Sequence, residues 1–297
     1  MAELPQGFRI LKGERGVLVV RDEYSAPLVA AGFGPDGAPG AAGFATSDVA
    51  GRRPLGLVEV GSKALLLRFH QHGGLLRFLS GDRFLQAERP FRELLLSERL
   101  RAKGIPTPRV VAARIQRTAL CFWRLALVSV REAETQDLVR GLLQAEDAQA
   151  ARSLMRAMGE FVGRLHQAGL LHVDLHPGNM LVQEDWASVE APKLWILDLD
   201  RCELVDALGE SQRLGMLARL ARYALRRPGL AARALGRTNV LRFLKAYASA
   251  NSPLGEPVDW KADWRAVAQL LSSANRRHRF GWCLEEWVGA GADTRQG

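Results

Sequence analysis

Two carboxylates and an amide stand at fixed spacing in the middle of the chain. They lie in His172-Val173-Asp174-Leu175-His176-Pro177-Gly178-Asn179 and, sixteen residues after Val182, in Leu197-Asp198-Leu199-Asp200. Asp174 and Asn179 mark the two ends of a Pro-Gly loop, and Asp198 ends a strand-length apolar run. Carboxylate and amide oxygens are hard ligands suited to Mg²⁺, and a carboxylate beside an attacking hydroxyl can accept its proton. Phosphoryl transfer from ATP asks little more of a protein, because the difficulty lies in aligning a hydroxyl with the γ-phosphate and neutralising its oxygens. Asp174 is therefore the candidate catalytic residue and Asn179 and Asp198 the candidate metal ligands. His172 is expected to be structural, beneath the loop. Each residue alone would be an ordinary turn or cap former; the spacing of all of them carries the argument.

Such a set needs elements to hold it. Residues 7 to 30 alternate apolar and polar, a half-buried antiparallel pattern broken by a turn near Gly13 and Gly16. A Gly, Ala and Pro stretch follows from Gly32 and reads as a mobile loop. Strands are predicted at 55 to 60 and 63 to 70 with Gly61-Ser62 between them, and a helix at about 89 to 103 that stops at Gly104. Strands at 109 to 115 and 119 to 130 complete a mainly β N-terminal part. From about 147 the period becomes 3.6, with Leu154, Met158, Phe161 and Leu165 on one face. The C-terminal remainder is helical and basic. The expected organisation is a mainly β N-terminal lobe over 1–127, with a Gly-rich loop region at 32–56, and a mainly helical C-terminal lobe over 128–297 that carries the Asp174 loop.

With 297 residues, nearly half of them apolar, the chain can bury one or two cores. Cys121, Cys202 and Cys283 are far apart and suggest neither a disulfide framework nor a zinc site, which fits a reducing cytosol. The charged start lacks a signal-peptide core, and no run approaches the roughly eighteen apolar residues of a membrane span. Net charge is +9, from 41 basic and 32 acidic residues. From Ser211 to Gly255 there is no acidic residue but nine basic ones, so this segment equals the whole excess. Within it Leu214, Leu217, Ala221 and Leu225 form one helical stripe and Arg219, Arg222 and Arg226 a neighbouring one, a pattern suited to an anionic bilayer surface or an acidic glycolipid. The same leucines packing on the lobe core, with the arginines in water, is the competing outcome. Nucleic acid is not expected as a partner, because aromatic and basic residues are not interleaved as a stacking platform.

The loop and its downstream aspartate have the spacing of a kinase catalytic loop and its metal-binding aspartate. Four further segments narrow the resemblance: Arg68-Phe69-His70-Gln71-His72-Gly73-Gly74-Leu75, Arg89-Pro90-Phe91-Arg92-Glu93, Gly104-Ile105-Pro106-Thr107-Pro108 and Leu197-Asp198-Leu199-Asp200-Arg201. With these the chain resembles, over about residues 50 to 230, the bacterial lipopolysaccharide kinase family that includes 3-deoxy-D-manno-octulosonic acid (Kdo) kinase and heptose kinase. The resemblance implies an α+β, protein-kinase-like bilobal fold and ATP and Mg²⁺ as cofactors. It also implies a phosphate loop at Gly51 to Gly56 and hinge contacts to the nucleotide at Val128 and Val130. Protein kinases place a lysine where this chain reads Arg68, so Arg68 would be the cation on the phosphates, with Lys63 as fallback. Its helix partner is Glu93 by motif, and Glu98 shares the other stripe of the helix.

The acceptor implied is a Kdo or heptose hydroxyl of the lipid A-linked core, met at the cytoplasmic face of the inner membrane. An aminoglycoside-like phosphotransferase shares the D-L-H-P-G-N loop, but its cationic substrates suit acidic surfaces. A non-catalytic pseudokinase scaffold is the reading suggested by the degenerate phosphate loop. A protein kinase fits least, with His176 where a lysine is common and no recognisable activation segment.

Overall fold

A computed structural model describes residues 4–37, 44–46, 55–71, 83–119, 121–145, 147–252 and 259–272. The chain divides into two compact units, Met1–Thr135 with Trp195–Leu204, and Gln136–Leu194 with Val205–Gly297.

The first unit is built on strands β1 (Phe8–Lys12) and β2 (Gly16–Arg21), helix α1 (Asp22–Ala30), strands β3 (Ala45–Thr46), β4 (Gly56–Val60) and β5 (Lys63–Phe69), helix α2 (Arg89–Ala102), and strands β6 (Val110–Ala119) and β7 (Phe122–Val130). The strands form one sheet in the order β1-β2-β6-β7-β5-β4-β3, antiparallel at each pairing. Gly61, at φ 60°, makes the tight turn between β4 and β5.

Strand alternation decides which side chains meet the helices. Leu18 and Val20 of β2, Leu65 and Leu67 of β5, and Ala126 and Val128 of β7 share one core with Tyr24 and Leu28 of α1. Val19, Ala113 and Leu127 point the other way and pack with Leu94 of α2. An irregularity between Val110 and Ala112 explains why Val111 and Ala112 both enter the first core. Each such fully buried Leu or Val contributes roughly 1.5–3 kcal/mol.

The alternating pattern expected for 7 to 30 ends at Arg21; residues 22–30 are helical instead. Asp22 and Glu23 in the first turn suit a helix N-terminus. Tyr24, Ser25 and Leu28 are buried together, and the adjacent pair Tyr24 and Ser25 would fall on opposite faces of a strand. The described part of the expected mobile loop, 32–37, is pinned. Asp36 accepts from the backbone N–H groups of Glu14 (2.7 Å) and Arg15 (2.9 Å), and these bonds, that of Arg15 foremost, lower its pKa.

The second unit contains α3 (Leu138–Gln144), α4 (Ala148–Gln167), α5 (Glu210–Leu225), α6 (Pro228–Ala234) and α7 (Arg237–Asn251), with residues 260–272 also helical. Asp137 and Asp147 cap α3 and α4 through their side chains. Leu154, Met158, Phe161 and Leu165 are all buried on α4. The same helix approaches α7 through Gly159 and Gly163. A Cβ at Gly159 would fall 2.3 Å from the Phe243 carbonyl oxygen, and one at Gly163 would fall 2.7 Å from that of Tyr247. Only glycine permits this backbone approach.

On α5 the leucine stripe is taken up by the unit's own interior: Leu214 and Leu217 are buried, Ala221 is half-buried, and Leu225 alone is exposed. Arg219 and Arg222 are half-buried and Arg226 is exposed. The basic residues therefore have no accompanying apolar face on α5. Among the described residues no helix is long and apolar enough to cross a membrane.

His166 is buried at the α4–α7 contact, with Nδ1 3.0 Å from the Tyr247 hydroxyl, which also accepts from Arg213 (2.9 Å). Burial, with the Arg213 charge adding to it, pushes the His166 pKa down to about 3. The unfolded chain takes up this proton near the ordinary value of about 6.5. Stability is therefore intact above pH 6.5 and declines as pH falls through 6.5 toward 3, by up to about 1.4 kcal/mol per unit. Urea midpoints at pH 7 and pH 5 are expected to differ less for His166→Gln than for the wild type; an equal difference would show that His166 takes up its proton in the folded chain as readily as in the unfolded one.

Candidate active site

In the second unit the loop after α4 is anchored from below by His172, which is buried at 1% exposure. Its backbone N–H meets Met216 Sδ at 3.3 Å, and its Nδ1 accepts from the Asp174 backbone N–H at 3.2 Å. This bond occupies the ring nitrogen, so His172 orients the loop. Residues Pro177–Asn179 form a single 3₁₀ turn that folds Asn179 back, and its Nδ2 donates to the Asp174 carbonyl at 2.9 Å. With the amide nitrogen so engaged, Oδ1 is the atom Asn179 can offer to a cation. About half of the Asp174 side chain is exposed, so its carboxylate is accessible from solvent.

His176 Nε2 lies 3.4 Å from Asp174 Oδ2. Burial lowers the pKa of His176 against the opposing pull of Asp174, so the ring is neutral at physiological pH. It stacks on Tyr223 of α5, with centroids 4.3 Å apart and planes 17° from parallel. A Cβ at Gly178 would fall 2.5 Å from the Tyr223 hydroxyl, so this packing requires the loop glycine.

In the first unit the register places Arg68 opposite Leu127, hence on the sheet face that α2 covers. There its guanidinium forks. Nη2 pairs with Glu93 of α2, which is 5% exposed, and Nη1 donates to Asp198 Oδ1 at 2.8 Å. Burial disfavours the charge on Arg68, but Glu93 and then Asp198 outweigh it and hold the pKa above the ordinary arginine value. Glu93, Leu96, Ser97 and Leu100 form the buried side of α2. Glu98, the alternative partner, pairs with Arg21 instead, and Lys63 is exposed at the start of β5. Asp198 adopts φ 54° and Arg201 φ 59°, left-handed conformations that cost a non-glycine residue about 1–2 kcal/mol each. Strain of that kind concentrates where side-chain direction matters.

Two neighbours of this set were not singled out by sequence reasoning. His70 Nε2 lies 3.2 Å from Glu93 Oε2, and Arg89 grips both oxygens of Asp200. Both residues lie inside the family-like segments quoted above, which was the available signal. His70, Glu93 and Asp200 gather their ligand atoms within 4.8 Å of one another. Arg68 and Arg89 already compensate these two carboxylates, so the cluster is not arranged to attract a further cation.

The remaining candidates are spread out. Gly51 lies outside the described residues. Gly56 is a β4 residue whose Cβ would fall 3.0 Å from Phe44 Cβ and 3.2 Å from Leu67 Cβ, so close packing also favours glycine there. Val128 is fully buried in the sheet core between β5 and β6, and the Val130 N–H donates to the Arg109 carbonyl at 2.9 Å. Arg219, Arg222 and Arg226 all lie on α5.

The family model described as the lipopolysaccharide kinase (Kdo/WaaP) family matches residues 49–247. The chain belongs to that family. It is 32% identical over 164 residues to a 3-deoxy-D-manno-octulosonic acid kinase of Actinobacillus succinogenes, covering 54% of this chain and 65% of that protein. It is 30% identical over 176 residues to the enzyme of that name from Vibrio cholerae, covering 58% and 70%. The chain thus spans about two thirds of the length of these relatives. In fold it is similar to WaaP solved in complex with acyl carrier protein, at a TM-score of 0.58 and 22% identity, covering 88% of this chain and 97% of that one. The antiparallel sheet of the first unit and the helices of the second make an α+β fold.

Proposed function

We propose that this member of the lipopolysaccharide kinase family transfers the γ-phosphate of ATP to a sugar hydroxyl, of Kdo or heptose, on the lipid A-linked inner core. The observation that carries the reading is the fork of Arg68 between Glu93 and Asp198, which supplies a fixed cation for nucleotide phosphates in the place of the usual strand lysine. The names of the relatives support the acceptor.

In this mechanism Asp174 accepts the proton of the attacking hydroxyl as the oxygen moves onto the γ-phosphorus. The neutral His176 beside it leaves the carboxylate able to do so. Arg68 holds phosphate oxygens, and Glu93 fixes Arg68. Asn179, whose amide nitrogen is tethered, and Asp198, which meets Arg68 through Oδ1 and is 40% exposed, are the hard-oxygen residues proposed to hold Mg²⁺. When bound, the ion would neutralise charge on the phosphate oxygens. Arg219, Arg222 and Arg226 are proposed to face the anionic acceptor or the anionic surface that carries it. That would place the protein peripherally on the cytoplasmic face of the inner membrane.

Incubating the purified chain with a Kdo-bearing lipid A precursor, Mg²⁺ and γ-labelled ATP is expected to move label into the lipid. Absence of transfer to any Kdo- or heptose-bearing acceptor would remove the proposal, and transfer to an aminoglycoside instead would replace it.

A further inference from the structure

The catalytic loop is bordered by a stack of which the phosphoryl-transfer mechanism uses His176 alone. The Tyr223 ring carries the His176 imidazole at 4.3 Å, nearly parallel, and Arg227 Cζ at 3.5 Å from the same centroid. Two groups so close to one centroid cannot share a face, so the phenol ring is sandwiched between imidazole and guanidinium. Arg227 Nη1 also donates to the Tyr223 carbonyl at 3.1 Å. The residue is nonetheless exposed, and among the described residues no carboxylate pairs with it.

A solvent-facing arginine normally keeps its rotamer freedom, and holding it still costs entropy. Here the ring and the carbonyl fix the guanidinium, and its remaining N–H edge meets no acceptor among the described residues. A fixed, unpaired fork is the form in which arginine binds a carboxylate or phosphate through two parallel hydrogen bonds. Its place decides whose anion that is. Asp174 Oδ2, His176 and Tyr223 follow one another at 3.4 and 4.3 Å, with Arg227 on the far face of the phenol ring. Such a span suits an acceptor whose hydroxyl sits at Asp174 and whose charged group is carried by a neighbouring sugar or phosphate. The surrounding segment, free of acidic residues from Ser211 to Gly255, offers an anion no repulsion.

We infer that Arg227, presented on the Tyr223–His176 stack, is a specificity-determining residue that binds an oxyanion of the acceptor, its sugar carboxylate or a neighbouring phosphate, while the acceptor hydroxyl meets Asp174. The inference rests on the kinase reading above and names the part of the substrate that reading leaves open.

The test is steady-state transfer from ATP to a Kdo-bearing lipid A precursor by wild type, Arg227→Ala and Arg227→Lys. Three acceptors are compared: the free acid, its Kdo methyl ester and the dephosphorylated lipid. Arg227→Ala is expected to raise the acceptor KM by about tenfold or more with the ATP KM and melting temperature unchanged, and Arg227→Lys to recover only part, because a point charge lacks the fork. The altered acceptor that loses affinity for the wild type but not further for Arg227→Ala identifies which oxyanion is held. An unchanged acceptor KM, or an ATP KM that rises in parallel, would overturn the inference while leaving the kinase reading intact. A wild type that labels no Kdo-bearing acceptor would remove both.

Discussion

Asp174→Asn is expected to lower kcat for sugar phosphorylation by about a thousandfold, within the 10²–10⁴ that a positioned general base contributes, while KM for ATP moves little. Asparagine keeps the shape of the side chain and can still approach His176, but it cannot take up the hydroxyl proton. Because about half of the Asp174 side chain is exposed, and its backbone carbonyl rather than its carboxylate holds Asn179, folding should be unaffected to within about 0.5 kcal/mol. Single-turnover transfer at saturating ATP, beside a denaturation curve, separates the two quantities. A variant of full activity would transfer the proton-accepting role elsewhere. A variant of full cellular function without transfer would favour a non-catalytic nucleotide-binding scaffold.

The loop that this experiment addresses stood out in the sequence because the proposed phosphoryl-transfer chemistry would constrain both residue type and spacing, and the 3₁₀ turn that ties Asn179 to Asp174 follows from its Pro-Gly pair. The position of Arg68 on its strand was legible too, and its face follows from the alternation that makes Leu65 and Leu67 core residues. What spacing could not reveal was tertiary choice. Glu93 and Glu98 are both plausible partners along α2, and only the packing of Arg21 against Glu98 separates them. The strand pattern extended past Arg21 on paper because Tyr24 and Leu28 satisfy an alternation as well as a helical spacing, and burial against β2 favours the helix. On α5 the amphipathic stripes were visible, but sequence alone could not say whether Leu214 and Leu217 face lipid or the unit's own core. Arg227 looked like one of nine cations in an acid-free stretch until the phenol ring beneath it set it apart.

Arg68→Met tests the proposed phosphate-binding cation and is expected to act on catalysis and stability together. Methionine keeps an apolar stem of similar length but removes the fork that joins Glu93 and Asp198. Loss of a preorganised cation on the transferring phosphate should lower kcat/KM for ATP by about 10²–10³-fold. It also leaves Glu93, 5% exposed, with His70 as its remaining side-chain partner among the described residues. Breaking a buried pair by removing one partner costs about 3–5 kcal/mol, and the lower end applies because a third of the Arg68 side chain reaches solvent. The Arg68 pKa is raised in the folded state, so its contribution to stability is present at every pH below the ordinary arginine range, and the deficit should appear equally at pH 6 and pH 8. Glu93→Gln added to Arg68→Met removes the stranded charge while keeping an acceptor for His70. Urea midpoints of the two single variants and the double should therefore show the double more stable than Arg68→Met alone, with a coupling of about 1–3 kcal/mol. Its activity should stay low, since neither substitution restores a cation for the phosphates. A double variant no more stable than Arg68→Met would mean that Glu93 is already compensated by His70, and that Arg68 is held for catalysis rather than for folding.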